Sequence, residues 1–174
     1  GQTIKPTEVT ISIDKISLNQ KNVIELKEFN AEKGIQELNH KATSGAFLTT
    51  DPNKTTTILG TYIDDTQYII KELNLEKSTN FGARKGGFNL LNTPDELYKN
   101  PMQFWNEYNK PWLDNVIKRG DNIILATSPI DSKLYKTNRI TGTKELTGFG
   151  REYYYLLENG YKFDSKTNQM IKGK

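Results

Sequence analysis

Cysteine is absent from the 174 residues. No disulfide can form, and no thiolate can act as nucleophile or metal ligand. A small domain that stays outside the cell often carries disulfide staples. Their absence fits a protein that works in a reducing cytosol, or one that unfolds to cross a membrane. Histidine occurs once, at His40. Acid–base cleavage of RNA by a pair of histidines in one chain is therefore excluded, as are histidine-rich zinc sites and HExxH metalloprotease chemistry. A Ser-His-Asp triad would need His40 itself and lacks the GxSxG elbow, so His40 reads as a surface or linker residue. No Walker A sequence is present. No apolar run nears the roughly 18 to 20 residues that span a bilayer. The start, GQTIKPTEVTI, has no basic segment followed by an apolar one, so no leader peptide is visible. Hydrophobic residues are also scarce, at 34% with a mean hydropathy of −0.70.

Aromatic residues, at 10%, offset that scarcity. Tyr, Phe and Trp rings supply the core area that a shortage of Val and Leu withholds, which argues against general disorder. The length suits one domain with an extension. Charge divides unevenly. Residues 1–56 carry 7 Lys and 7 acidic residues, whereas 57–174 carry 17 Lys+Arg and 14 acidic residues. The whole positive excess lies in the second part, a mild sign of a polyanionic substrate.

The first part alternates apolar and polar residues (Val9, Ile11, Ile13, then Val23, Ile24, Leu26), as one or two strands or an extended segment would. A short helix is expected over 31–39, and TTDPNKTTT reads as a linker with a boundary near 51–56. The division expected is an N-terminal extension over 1–56, a candidate delivery or translocation segment, and an effector domain over 57–174. From Thr57 the punctuation sharpens. TTILGTY reads as a strand in which Gly60 marks a bulge or close backbone approach. Asp64 and Gln67 form a capping-box pattern for a helix ending at Asn74. Thr93-Pro94 and Asn100-Pro101 repeat helix-start chemistry. The longest helix is expected over 101–119, interrupted by Pro111 and stopped by Gly120. NIILAT reads as a buried strand, 128–146 as a surface loop, 149–158 as a third helix, and the C-terminus as a hairpin. The fold class expected is α/β or α+β, a small central sheet flanked by three to four helices with a mainly extended N-terminal segment. The pattern leaves parallel and antiparallel sheets open.

Arg, Lys, Tyr, Asp and Glu remain for chemistry. In GARKGG, glycines let backbone N–H groups approach a phosphate while Arg84 and Lys85 supply charge; a flexible loop with two solvated cations is the alternative. Arg119 and Asp121 flank Gly120 at a helix end. Arg119 there favours the helix dipole and Asp121 caps or turns, unless both serve catalysis. Arg151 and Glu152 follow Gly148-Phe149-Gly150, which reads as a loop onto a cleft. An Arg that holds developing phosphate charge and a Glu that moves a proton would make a metal-free cleavage site; a helix first turn that favours Glu is the alternative. Phe104, Trp105, Tyr108 and Trp112 share a helix face and read as core, although rings of this kind also stack bases. The Tyr153–Tyr155 run must turn one ring outward. Tyr154 and Tyr62 are the candidate substrate-binding rings.

Three blocks, ILGTY, FWNEYNKPWLDNVIKRGDNIILAT and GFGREYYYLLENGYKF, resemble the C-terminal effector module of bacterial polymorphic toxins of the contact-dependent inhibition and Rhs type. The resemblance covers about residues 57–172. It implies a secreted or surface-delivered toxin that acts in the cytoplasm of a target bacterium, at the end of a longer delivery protein, with a cognate immunity protein as partner. Many relatives in that class are nucleases; others attack NAD or transfer ADP-ribose. The first reading is therefore a metal-independent or weakly metal-assisted ribonuclease toxin that cleaves tRNA or rRNA with no cofactor. An NAD glycohydrolase or ADP-ribosyltransferase, and a non-enzymatic binding module, stand as alternatives. Oligomeric state is not legible.

Overall fold

The computed structural model of the protein describes residues 11–13, 24–26, 37–81 and 85–173; of 11–13, 24–26, 37 and 39 it describes the backbone alone. The fold is mixed α/β. Four short strands, β1 (Ile11–Ile13), β2 (Ile24–Leu26), β3 (Glu37–His40) and β4 (Leu48–Thr49), pair in that order as an antiparallel sheet. The helix expected over 31–39 falls partly on residues outside those described. Its last three residues are strand, where Leu38 points into the core.

The five-stranded central sheet runs β10 (Tyr161–Asp164), β11 (Gln169–Lys172), β7 (Asn122–Leu125), β5 (Thr56–Leu59), β6 (Phe88–Asn89). Strand β5 pairs in parallel with β6 and β7 on its two sides. The C-terminal hairpin adds β11 antiparallel to β7. The sheet is thus mixed, a point that apolar periodicity could not decide. All four residues of β5 are buried. Such a strand shows no polar face, as expected for an inner parallel strand covered on both sides.

Helices fill the connections. A π-helical turn, Tyr62–Thr66, leads into α1 (Gln67–Glu72). It starts two residues ahead of the Asp64 cap read from sequence, because Thr61 takes the entry position and hydrogen-bonds Asp64 through its hydroxyl at 2.8 Å. The Thr93-Pro94 start yields only a single 3₁₀ turn, Asp95–Leu97. At Asn100 the sequence signal is realised: its side chain accepts the Gln103 N–H at 2.9 Å. Then α2 (Pro101–Phe104), a second π turn (Trp105–Asn109) and α3 (Lys110–Arg119) continue without a break. Pro111 lacks an N–H and would disrupt an α-helical interior. It is accommodated in the first turn of α3, directly after the π turn whose Lys110 N–H reaches back five residues to Trp105. Gly120 ends α3 at φ +73°, a left-handed position that favours glycine.

Residues 128–146, expected as a loop, instead form α4 (Asp131–Leu134) and a hairpin, β8 (Tyr135–Thr137) with β9 (Lys144–Leu146). Gly148-Phe149-Gly150 is not a loop either. It is the first turn of α5 (Gly148–Glu158), capped by Thr147, whose hydroxyl accepts the Gly150 N–H. A Cβ at Gly150 would lie 2.1 Å from the Leu134 carbonyl oxygen, so glycine is what lets α5 sit against α4.

Two apolar clusters hold the layers. One joins Leu59, Trp112, Leu113, Val116, Ile123, Leu125, Phe149 and Leu156. Trp112 is fully buried, whereas Trp105 is half-buried and meets Tyr155 edge-on. The other joins Ile58, Tyr68, Ile69, Phe88 and Ile124 with Leu38, Ala42 and Leu48. Packing is therefore continuous across the expected boundary at 56/57. His40, expected at the surface, is fully buried.

Candidate functional site

In an open sheet with parallel strands, ligands bind beyond the carboxyl ends where strand order reverses. Here the chain passes from β5 to β6 on one side, then crosses to β7 on the other. A cleft of about 830 Å³ lies there. Leu59, Gly60 and Thr61 at the end of β5 line it, with Leu90 to Asn92 after β6 and Ser132 and Lys133 beyond β7. That volume is in the ordinary range for a small-molecule or nucleotide site.

The loop after β5 is held from behind. Asp65 is fully buried, and a buried carboxylate needs its lone pairs filled. Its donors are the Thr127 hydroxyl at 2.6 Å, the Thr43 hydroxyl and N–H at 3.0 and 3.3 Å, and His40 Nε2 at 3.2 Å. A carboxylate only accepts, so Nε2 carries the proton. Thr127 Oγ1 in turn accepts the Thr61 N–H at 2.9 Å. A Cβ on Gly60 would lie 2.8 Å from that same oxygen, so the close approach expected at Gly60 is real. Residues from β3, the 42–46 turn and the end of β7 thus converge to fix Thr61.

Both π turns feed this cleft. The first presents Tyr62, Ile63, Asp64 and Thr66, and the second ends on Asn109. Such turns insert a residue into the helical ladder and re-aim the side chains beyond it, often at functional sites. Asn109 is buried, and its Oδ1 has no hydrogen-bond partner. Its side chain lies beside Glu152 on the same cleft wall. Burial pushes the Glu152 carboxyl up to about 8, against the opposing effect of the neighbouring Asn109 amide. At neutral pH Glu152 is mainly a neutral acid, with a proton to give.

The rest of the cleft mixes cations and rings. Lys133 Nζ lies 2.7 Å from Asp64 Oδ2, the oxygen that also accepts from Thr61. Lys77 pairs with Asp95. Lys136 is exposed and makes no ion pair among the described residues. Tyr62, Tyr98, Phe104 and Tyr135 line the cleft, with the buried Trp112 and Phe149 behind them. Among the described residues, no group of three or more His, Cys, Asp or Glu side chains is placed to hold a metal ion. No helix among them is long and apolar enough to cross a membrane.

Of the residues singled out from sequence, Glu152 and Tyr62 line the cleft. Arg151, beside Glu152 on α5, is half-buried and does not line it. Arg119 and Asp121 sit at the amino end of β7. Arg119 clamps Asp121 through Nε at 3.0 Å and Nη2 at 2.7 Å, and donates to the Phe81 carbonyl. Asp121 also accepts from Thr57. That network ties α3 to the start of the sheet, at the end opposite the cleft. Tyr154 lies outside the cleft lining. Its hydroxyl meets that of Tyr135 at 3.1 Å, and this bond first, then burial, pushes it up to about 12. Lys85 is exposed in a turn away from the cleft, and Arg84 lies outside the described residues. Asn109, Asp64 and Lys133 carried no catalytic motif. Asn109 sat within an aromatic helical block, and only the π turn brings it to Glu152.

Compared with known proteins, the chain matches no family model, no curated protein and no solved structure.

Proposed function

We propose that this chain is an antibacterial toxin domain that cleaves RNA in the cytoplasm of a target cell, with an immunity protein as its natural partner. The toxin setting rests on the resemblance of the three sequence blocks. The chemistry rests on one observation: a buried carboxyl, Glu152, whose burial favours its protonated form, lines a cleft that also holds lysines and exposed rings. In the step proposed, the ribose 2′-oxygen attacks phosphorus and loses its proton to an ionised carboxylate, for which Asp64 is the cleft candidate. The bond from phosphorus to the 5′-oxygen breaks, and that oxygen takes the Glu152 proton. The products are a 2′,3′-cyclic phosphate and a 5′-hydroxyl. Lys133 and Lys136 offset phosphate charge.

An NAD-directed reaction is the second reading, favoured by the position of the cleft at the strand-order reversal, where nucleotides bind in open α/β sheets. Transfer at the ribose carbon builds positive charge on the sugar, which an ionised carboxylate serves better than a neutral one. The state of Glu152 therefore favours RNA. Purified protein incubated separately with total tRNA and with NAD decides between them. RNA fragments ending in cyclic phosphate support cleavage. Release of nicotinamide with intact RNA overturns it.

A further inference from the structure

Two tyrosines stand exposed on the lip of the cleft, from elements far apart in sequence. Tyr62, in the first π turn, is 61% exposed, and Tyr98, closing the 3₁₀ turn at Asp95–Leu97, is 50% exposed. Large rings are normally drawn inward at least in part, so a pair left open on one cleft needs a reason. Lys77 joins their neighbourhoods. It pairs with Asp95, on the turn that carries Tyr98, and lines the same cleft as Tyr62. Tyr98 is also braced from behind. Its ring packs on Phe104 with centroids 5.3 Å apart, and Phe104 packs on Tyr108 at 5.6 Å. A braced ring loses little freedom when a flat ligand lies on it. Along the cleft lining, lysines outnumber aspartates three to two (Lys77, Lys133 and Lys136 against Asp64 and Asp95).

We infer that Tyr62 and Tyr98 are stacking platforms for the bases of single-stranded RNA, with Lys77 and Lys136 following its phosphates. Exposed rings beside cations are how proteins grip a single strand, because every base has a flat face and every linkage a negative charge. A duplex hides its bases in its own stack and offers these rings nothing. The cleft thus selects unpaired segments, such as loops, as substrate. This rests on the RNA reading above and deepens it.

Binding of a labelled 2′-O-methyl single strand tests the assignment, since that backbone cannot be cleaved through its 2′-oxygen. The same sequence as a duplex, and NAD, are the comparison ligands. Both variants should stay folded: Tyr62→Ala should melt like the parent, and Tyr98→Ala, which gives up its contact with Phe104, only slightly lower. Each should weaken single-strand binding roughly tenfold, in keeping with the usual cost of one lost stacked base. Their salt dependence should stay that of the parent, whereas Lys136→Ala should lower the salt slope by about one phosphate contact. Parental affinity in both tyrosine variants, or a duplex bound as tightly as the single strand, overturns the inference and assigns the lip to a protein partner. Strand binding that depends on both rings, without any tRNA cleavage, would uphold this site and overturn the catalytic reading. Cleavage that persists with either ring removed, at unchanged strand affinity, would do the reverse.

Discussion

Glu152 carries opposite consequences for catalysis and stability. Its folded-state value of about 8 lies above the ordinary 4.5, so between those limits the folded protein holds a proton that the unfolded chain has released. This contribution to stability is full below about pH 4.5, falls as pH rises, and is lost above about pH 8. The shift corresponds to an amount on the order of 3 to 5 kcal/mol. Glu152→Gln should therefore melt higher than the parent at pH 8 and differ little from it at pH 5, while losing RNA cleavage at every pH. Thermal melts at the two pH values check the first part, and a Gln variant less stable at pH 8 contradicts it. Cleavage by the parent should decline as pH passes about 8, when the acid loses its proton. Glu72 is a second buried carboxyl raised by desolvation, and neither of its oxygens has a hydrogen-bond partner.

At the scale of elements, α3 and α5 hold the acid in place. The Tyr155 hydroxyl of α5 donates to Asp114 of α3. Trp112 fills the space beneath them at 2% exposure, and Trp112→Ala should cost roughly 3 to 5 kcal/mol, read as a fall in melting temperature. Gly150→Ala drives a methyl into the Leu134 carbonyl and should cost about 1 to 3 kcal/mol or more by moving α5 off α4. An unchanged melt would mean that α5 has room the geometry denies. Pro111→Ala is the subtler test. Restoring an N–H lets the helix run on as α rather than through a π turn, which would rotate Asn109 away from Glu152. Helicity should hold or rise by circular dichroism while cleavage falls; equal cleavage would separate the π turn from function.

At the scale of the molecule, residues 38–48 are structural partners of the cleft. Leu38 and Leu48 are buried against Ile58 and Ile69, and burying each Leu contributes roughly 2 kcal/mol. Without the first segment Asp65 would also lose His40 and both Thr43 donors. A chain starting at Thr56 should therefore show no cooperative melt, or one far below that of the full protein, and lose activity. A truncated chain that melts as the parent does would show that the first sheet is dispensable. The positive excess of 57–174 then belongs to a body that also includes residues 37–56.

Local chemistry was legible in the chain wherever a single turn or period decides structure. Asn100 caps, Gly120 stops a helix in the left-handed region, β5 and β7 form from TTILGTY and NIILAT, and the terminal hairpin closes where a turn separates two short apolar runs. Glu152 and Tyr62 were within reach because acids and rings are few kinds of residue, and both line the cleft. What the chain alone left open depends on contacts between distant segments. Parallel pairing of β5 with β7 joins residues some 66 positions apart. His40 reads as a surface residue until Asp65 is placed beside it. The GFG triplet reads as a loop because glycine signals flexibility, whereas close approach to Leu134 requires it in a helix. Arg119 and Asp121 have catalytic residue types, yet their mutual clamp sits at the opposite end of the strands from the cleft. Periodicity reports which face of an element is apolar, and only tertiary packing decides which faces meet and which polar groups they enclose.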